Sequence, residues 1–468
     1  MDDFLREIQT SLFREWINNQ KRDYYHLHQS ETDPDAIIIE NEYCYSYVTF
    51  NPQCIIELCV MNKRTDEMAF YLHFQFKTLK HAISLFEEMD QCIKKMIDQP
   101  ICRLLLCCSG GMTTAFFADK IKNGIKVLNL NMEVAATSYQ KIYNVAQNYD
   151  VILLAPQVSY VKLQVEKVFK NKLVLKIPTQ IFASYNVGAL ITFVEESLKH
   201  KENKYNGYVE PLASMMEIKT NKNVLAVSIN ANGENSHISY RLYNSHQDIV
   251  LDSNIIKSNI KLQDVLDALD TVVLQNEMID VISIALPGVM VEGNVYSGII
   301  EGGNHQLKER LEKRYEKEIY LINDVNAAVV GYYASQTEYK SLAFLFQPIG
   351  RMAGSGIVVN GQLVRGMDHL AGEVALLPLK LSDSYLNLAN TPEGTLELVT
   401  KNIMSIIAIV SPEAIVVYSD LILDSQDVSD EIKKSLSQYS LKVYPKVIKV
   451  ENILEYILLG AMILSAKE

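Results

Sequence analysis

A cysteine followed by small and hydroxyl-bearing residues is the stretch of this sequence best suited to chemistry. After the apolar run 104–107 come Cys108, Ser109, Gly110, Gly111, Met112, Thr113 and Thr114. This order predicts a buried strand, a glycine turn and a helix, whose N-terminal N–H groups attract anions. A thiol at such a site reacts as its thiolate, and the loop hydroxyls can donate hydrogen bonds to a phosphate. The stretch therefore predicts attack of Cys108 on a phosphorylated donor and stabilisation of the phosphocysteine by the same loop.

A plain structural interpretation of the same cysteines stays open at this point. Free cysteine is among the most buried residue types and packs like a small apolar side chain. Strand alternation turns Cys107 inward and places Cys108 at the turn. The loop alone is consistent with packing as well as with catalysis.

Carboxylates in the C-terminal half also occur where chemistry is common. Asn323 and Asp324 follow an apolar run at a predicted strand-to-helix junction, and Glu373 follows the small-residue turn 370–372. An aspartate at the mouth of a cleft can take a proton from a sugar hydroxyl. Each signal is weak by itself, because an Asn-Asp pair before a helix is also an ordinary cap.

The pattern of elements changes twice along the chain, which predicts three domains. Residues 1–98 combine two helices with four strand-like runs, a small α+β domain with an antiparallel sheet and no visible site. Residues 101–200 alternate apolar runs with helical stretches, as in βαβ units with a parallel sheet. Residues 220–468 have the length and mixture of a two-lobed α/β domain with a cleft. The polar stretch 199–204 is typical of a linker.

The bulk composition excludes several classes of protein. The chain has 468 residues, of which 48% are hydrophobic and 21% charged, and no apolar run of membrane-spanning length. Its first residues lack the features of a secretion signal, so we expect the cytoplasm. A net charge of -12 argues against direct nucleic-acid binding. The seven cysteines have no framework-like spacing, and reduced thiols are expected.

The cysteine loop resembles that of the lactose and cellobiose type of enzyme IIB in sugar phosphotransferase systems (PTS). That family carries Cys-Ser-x-Gly-Met-Ser-Thr, where this chain has residues 108–114, and the segment 149–160 is also similar. The resemblance covers about a hundred residues. It implies that Cys108 accepts phosphate from a phosphohistidine on an enzyme IIA partner, with the loop at Pro156 and Gln157 near the site.

The C-terminal part resembles the ROK family of sugar kinases and sugar-responsive repressors. The matching elements are Ala285 to Gly288, Asn323 to Ala328 and Ala371 to Glu373. The resemblance implies a two-lobed actin-like α/β fold and a homodimer. It also implies that Asn323 and Glu373 hold sugar hydroxyls and that Asp324 is the catalytic base.

Departures from the ROK pattern affect the nucleotide and the metal. The phosphate loop Asp-x-Gly-Gly-Thr is replaced by the stretch 228–233, and the bulky Tyr418 stands where a second glycine-rich nucleotide contact is expected. Leu376 replaces an expected histidine, and no cysteine beyond Cys108 can form the family's zinc cluster, so no metal or cofactor is predicted. Losing both phosphate loops should cripple ATP use, since phosphoryl transfer depends on positioning and charge neutralisation. Asp324 is then a sugar ligand rather than a base.

Joined in one chain, these features favour a PTS-linked regulatory sensor. Cys108 would take phosphate from enzyme IIA, and an inactive kinase-like cleft would bind a sugar or phosphosugar. One alternative is a working phosphotransferase component that passes phosphate to a membrane IIC carrier for lactose-type or β-glucoside uptake. Another is an ATP-dependent ROK sugar kinase. A ROK repressor is less favoured, because residues 1–98 are too strand-rich for a winged helix and the charge is unfavourable.

Overall fold

A computed structural model gives the fold of most of the chain. The residues that it describes are 3–63, 67–98, 102–109, 112–128, 130, 132–170, 172–199, 220–232, 235–291, 294–296, 300–301, 307–367, 370–437 and 444–466. Within these ranges, no helix is both long enough and apolar enough to cross a membrane.

Helices are distributed along the whole described chain. They are α1 Asp3–Asn18, α2 Leu79–Asp98, α3 Met112–Val127, α4 Ile142–Val145, α5 Lys162–Val168, α6 Thr179–Ser184, α7 Val187–Lys199, α8 Leu262–Gln275, α9 Leu307–Tyr315, α10 Asp324–Ala334, α11 Tyr385–Leu388, α12 Pro392–Ile409, α13 Ser425–Ser437 and α14 Leu454–Ala466.

The strands form three larger sheets and two short ribbons. They are β1 His26–Gln29, β2 Ala36–Glu40, β3 Cys44–Asn51, β4 Ile55–Asn62, β5 Glu67–Gln75, β6 Cys102–Cys108, β7 Met132–Ser138, β8 Val151–Leu154, β9 Leu173–Lys176, β10 Val224–Asn232, β11 Asn235–Tyr243, β12 Ile249–Lys257, β13 Ile260–Lys261, β14 Val281–Leu286, β15 Val289–Val291, β16 Asn294–Tyr296, β17 Ile300–Glu301, β18 Glu318–Asn323, β19 Leu342–Phe346, β20 Gly354–Val359, β21 Gln362–Leu363, β22 Ala414–Tyr418 and β23 Lys446–Lys449.

The N-terminal unit is an antiparallel meander covered by helices α1 and α2. Strands β1 to β5 pair in chain order. The fully buried Phe13 of α1 lies 6.2 Å from Phe76 and 6.5 Å from Phe86, measured between ring centroids. Aromatic pairs at this spacing add to the apolar burial that holds helix to sheet. The predicted α+β class with an antiparallel sheet is confirmed.

This meander continues into the sheet of the C-terminal region. Strand β5 pairs antiparallel with β12, with Tyr71 opposite Ile256, and the joint sheet has the order β1-β2-β3-β4-β5-β12-β11-β10-β14-β18. One hydrophobic core serves both parts. Lys77 adds an ion pair of 2.6 Å to Asp267, and Lys257 one of 2.5 Å to Glu88. The N-terminal unit therefore extends the first lobe of the C-terminal region.

The middle unit is a parallel α/β sheet with the order β7-β6-β8-β9. Its strands are short and largely apolar, as expected for a sheet covered on both faces. Strand β6 lies inside the sheet, with β7 on one side and β8 on the other. The parallel arrangement predicted from the alternating pattern is confirmed.

The C-terminal region consists of two lobes with one topology. The first lobe has the order β12-β11-β10-β14-β18 and the second β21-β20-β19-β22-β23. In each, a three-stranded antiparallel meander is followed by two strands parallel to its first strand. The predicted two-lobed α/β architecture is confirmed, and the repeated strand order shows that the lobes are structural equivalents.

Helices α10 and α14, which occupy equivalent places in the two lobes, cross between the sheets at backbone contact. A Cβ on Gly331 would lie 2.0 Å from the carbonyl oxygen of Tyr456, and one on Gly460 would lie 1.8 Å from that of Ala327. Each helix therefore needs a glycine at the point where the backbone of the other helix touches it. The crossing buries residues from both sheets in one interlobe core.

Adding a methyl group at this crossing should destabilise the protein. We expect Gly331→Ala to lower the free energy of unfolding by about 3 kcal/mol, because neither backbone can move aside without separating the helices. The matched control is Gly188→Ala in α7, where the nearest atom to an added Cβ is 3.8 Å away. Thermal unfolding of the three proteins measures the difference, and equal midpoints for the two variants would contradict the crossing described here.

Candidate functional site

Cys108 lies at the point of the middle sheet where ligands of parallel α/β sheets usually bind. It is the last residue of β6, is 5% exposed, and is followed after a short loop by α3, which begins at Met112. Because β7 and β8 lie on opposite sides of β6, the carboxyl end of β6 is a topological switch point. The predicted sequence of strand, turn and helix is therefore present around Cys108.

The predicted phosphate-binding residues are described only in part. Ser109 is exposed beside Cys108. Gly110 and Gly111 lie outside the described residues, as do the side chains of Met112, Thr113 and Thr114. The roles assigned to these residues stay predictions.

The loop after β8 borders the cysteine loop. The N–H group of Ala155 donates a hydrogen bond of 2.9 Å to the carbonyl oxygen of Cys107, and Pro156 follows directly. Hydrogen bonding in register between β6 and β8 thus places Pro156 and Gln157 at the same edge of the sheet as Cys108.

The two adjacent cysteines have different environments. Cys107 is fully buried, and burial, together with the neighbouring Cys108, raises the pKa of its thiol to about 12. At neutral pH Cys107 therefore stays protonated and packs in the core of the middle unit. Cys108 ends the strand and borders the loop that leads to α3.

A second group of polar residues lies where β18 passes into α10. The side-chain oxygen of Asn323 accepts hydrogen bonds of 3.0 Å from the N–H groups of Val325 and Asn326, so it caps the helix. Its amide nitrogen donates to the carbonyl oxygen of Gly288 at 3.2 Å. The capping interpretation of this residue is confirmed, and its predicted role in sugar binding is not excluded by it.

Asp324 and Glu373 form a carboxylate pair in the cleft. Asp324 is 6% exposed, and burial, together with the negative charge of Glu373, raises its pKa to about 6. Burial also raises the pKa of the half-buried Glu373. One oxygen of Asp324 accepts a hydrogen bond of 2.9 Å from the N–H group of Val325. At pH 7 Asp324 is mostly ionised and can accept a proton.

Two glycines bring the parts of this cleft together. Gly372 has a φ of +94°, and a Cβ there would lie 1.8 Å from the carbonyl oxygen of Ser355, whose N–H group donates to the Gly372 carbonyl at 2.9 Å. A Cβ on Gly356 would lie 2.5 Å from the carbonyl oxygen of Val325. The turn before Glu373 and the first turn of α10 can therefore both lie against β20.

Buried polar atoms near this pair have no partner in the part of the chain that the structure describes. They are the side-chain oxygens of Asn326 and Ser355, each 4% exposed. Such atoms are costly to bury unless a ligand or water satisfies them. Sequence reasoning missed Asn326 and Ser355 as site residues. Both lie inside motifs already singled out, so the signal was their position next to Asp324 and Gly356.

Within the described ranges, no group of three or more His, Cys, Asp or Glu side chains is arranged to hold a metal ion.

Two family models match separate parts of the chain. Residues 103–192 match the PTS lactose/cellobiose-specific IIB subunit. Residues 233–382 match the ROK family. The chain joins a IIB segment to a ROK segment. The resemblances to both families are thereby confirmed, and the two matches support a PTS-linked, sugar-related protein.

Solved structures similar to the chain include members of both groups. A ROK family protein from Streptococcus pneumoniae TIGR4 in complex with sucrose is 18% identical, with 52% of this chain and 97% of that one covered and a TM-score of 0.43. A ROK family transcriptional regulator, a homologue of the E. coli MLC protein, is 13% identical, with 70% and 97% covered and a TM-score of 0.39. The lactose-specific IIB domain from Streptococcus pneumoniae is 23% identical, with 20% and 95% covered and a TM-score of 0.19. No curated protein matches the chain.

The buried, ionised carboxylate of Asp324 should lower the stability of the folded protein. The folded-state pKa of Asp324, about 6, lies above the ordinary value of 3.8, so ionisation destabilises the fold as pH rises through this interval. We expect Asp324→Asn to be more stable than wild type by about 3 kcal/mol at pH 7, and the gain to fall to about 0.6 kcal/mol at pH 4.

Thermal unfolding at both pH values measures this effect. The exposed Asp430→Asn is the matched control, for which we expect a change below about 0.5 kcal/mol at either pH. If Asp324→Asn gains no stability at pH 7, or gains the same amount at both pH values, the ionised carboxylate of Asp324 does not destabilise the fold.

Proposed function

We propose that this protein is a cytoplasmic, PTS-linked sugar sensor whose input is phosphorylation of Cys108. Enzyme IIA, carrying phosphohistidine, is the donor. The observation that carries the proposal is the position of Cys108 at the end of the inner strand β6, ahead of the N-terminus of α3. The dipole of α3 favours a negatively charged group there, and the transferred phosphoryl group supplies one.

The sensor also detects a metabolite, a sugar or phosphosugar that binds in the ROK segment. Its ligands are the Asp324 and Glu373 carboxylates with Asn323, and the unpartnered oxygens of Asn326 and Ser355 add polar contacts. Carboxylates and amides are suitable partners for hydroxyl groups, since they accept or donate in fixed directions. The pair at Asp324 is the polar centre of the cleft.

ATP-dependent kinase activity is the weaker candidate. The stretch 228–233 lacks the acidic residue and paired glycines of a phosphate loop, and Tyr418 stands at the second nucleotide position. Without such loops the charge of a triphosphate is not neutralised. A working uptake component, with a membrane IIC carrier as acceptor, also uses Cys108 but assigns no task to the ROK segment. A homodimer agrees with either function.

Phosphorylation tests the proposal directly. The protein is incubated with phosphoenolpyruvate, the general phosphotransferase proteins and a set of enzyme IIA components, and the label is located by mass spectrometry of peptides. We expect a single phosphoryl group on Cys108 and none in Cys108→Ser. Cys107→Ala, on the same strand, is the matched control and should be labelled like wild type.

Two outcomes would overturn the proposal. One is the absence of label with every donor in the set, and the other is equal labelling of Cys108→Ser.

A further inference from the structure

The carboxyl edge of the second-lobe sheet is covered by the IIB segment. This edge consists of the loops after β19, β22 and β23, which contain Ile349, Leu421 and Glu451. Ligands of open α/β sheets bind at such edges. In the first lobe the equivalent edge carries Asn323 and Asp324.

Contacts of both apolar and polar kinds hold the IIB segment on this edge. Leu421 is 2% exposed and belongs to the hydrophobic core of the IIB segment, against which Ile349 also packs. Lys170 forms an ion pair of 3.4 Å with Glu451. This pair is exposed and contributes little by itself, so the buried Leu421 is the main anchor.

The contact with the second lobe reaches the carboxyl end of the IIB sheet, where Cys108 lies. Cys108 pairs with Ser138 across β6 and β7, and the next residue, Tyr139, donates a hydrogen bond of 3.4 Å from its hydroxyl to Glu393 at the start of α12. Tyr139 packs edge-on against Tyr143, with ring centroids 6.2 Å apart, and Tyr143 belongs to the same hydrophobic core as Cys107 and Cys108.

The ROK segment thus has a sugar-type cleft with a carboxylate suited to act as a base, while the edge beside it holds a phosphocysteine-type domain. We propose that the phosphoryl group on Cys108 is transferred within the chain to a hydroxyl group of a sugar bound at Asp324 and Glu373. This inference rests on the proposed phosphorylation of Cys108. In this reaction phosphocysteine, rather than a nucleotide, donates the phosphoryl group.

The proposed step balances without any further reactant. The S–P bond of phosphocysteine breaks and an O–P bond forms to the sugar oxygen. The hydroxyl proton passes to the carboxylate of Asp324, and the Cys108 sulfur leaves as thiolate, ready for the next phosphoryl group from enzyme IIA. A thiolate is a good leaving group, and the α3 N-terminus stabilises its charge.

Two features of the chain agree with this reaction. The missing phosphate loop at 228–233 is needed for ATP but not for a donor that brings its own anion-binding loop. The pKa of Asp324, about 6, is close to neutral and suits a group that must accept a proton and release it again. The discharge of phosphocysteine by sugar would also be the sensing event, because the fraction of phosphorylated Cys108 would fall as sugar rises.

The full-length protein is first phosphorylated through enzyme IIA and freed of donor, and sugars are then added without ATP. The panel comprises glucose, mannose, N-acetylmannosamine, N-acetylglucosamine, lactose and cellobiose. We expect at least one sugar to accelerate loss of phosphocysteine, with formation of an equal amount of sugar phosphate. The rate constant for this discharge, measured as the fraction of phosphorylated protein lost per unit time, should be at least 100-fold lower in Asp324→Asn. Proton transfer to a general base contributes about that factor.

A mixing experiment tests whether transfer occurs within one chain. Phosphorylated Asp324→Asn supplies the donor and Cys108→Ser supplies the intact cleft, both as full-length proteins. We expect the mixture to form sugar phosphate at least tenfold more slowly than wild type. A wild-type rate in the mixture would place the transfer between chains and overturn the internal route.

The two proposals fail in different ways. If Cys108 is never labelled, the proposed function is wrong. If Cys108 is labelled but its phosphate is lost at the same rate with and without every sugar, or equally fast in Asp324→Asn, only the internal transfer is wrong.

Discussion

The crossing of α10 and α14 is the constraint on which the C-terminal half of the molecule depends. The two helices touch through Gly331 and Gly460, and each lies in the equivalent place of its own lobe. Because α10 begins directly at Asp324, the same contact that joins the lobes fixes the position of the buried carboxylate. Stability and the candidate site are therefore coupled: a helix that moved to relieve the crossing would also move Asp324.

Gly356 of β20 and Gly372 in the turn before Glu373 complete this arrangement from the other lobe. Backbone contact at Gly356 and Gly372 lets the first turn of α10, the strand and the turn before Glu373 lie against one another. Two carboxyl groups then share a buried region, and the pKa of each is raised. A purely structural site would gain stability by replacing one of them with a neutral side chain. Keeping both carboxylates despite their cost to stability is typical of a site for ligands or proton transfer.

Local features of the fold were predictable from the sequence, whereas long-range contacts were not. Apolar runs and turn residues identified β6 and its neighbours, and the length of the last region with its motifs indicated two lobes. The pairing of Tyr71 with Ile256 joins segments distant in sequence, and nothing in the periodicity of either strand specifies that partner. The burial of Leu421 against the IIB segment was unpredictable for the same reason. An apolar residue after a strand predicts burial, but not the domain that buries it.

At the site itself, residue chemistry was easier to predict than residue role. Asn323 suits both a helix cap and a sugar ligand, because the same amide serves either purpose. Only the hydrogen bonds that it accepts from Val325 and Asn326 reveal the cap. Asn326 and Ser355 escaped notice because membership of a motif does not show whether a polar side chain is buried. Their significance depends on the missing partners, which only three-dimensional packing can show.

Covalent linkage gives a physical reason for placing a IIB segment and a ROK segment in one chain. Tethering holds two domains at an effective concentration of the order of millimolar, so even a small interface stays occupied. Among the described residues, this interface contains the buried Leu421, the neighbouring Ile349, an exposed ion pair and a long hydrogen bond. A phosphoryl group on Cys108 adds nearly two negative charges on the face that meets Glu393. Like-charge repulsion at that point would oppose the contact, so phosphorylation of Cys108 would weaken it.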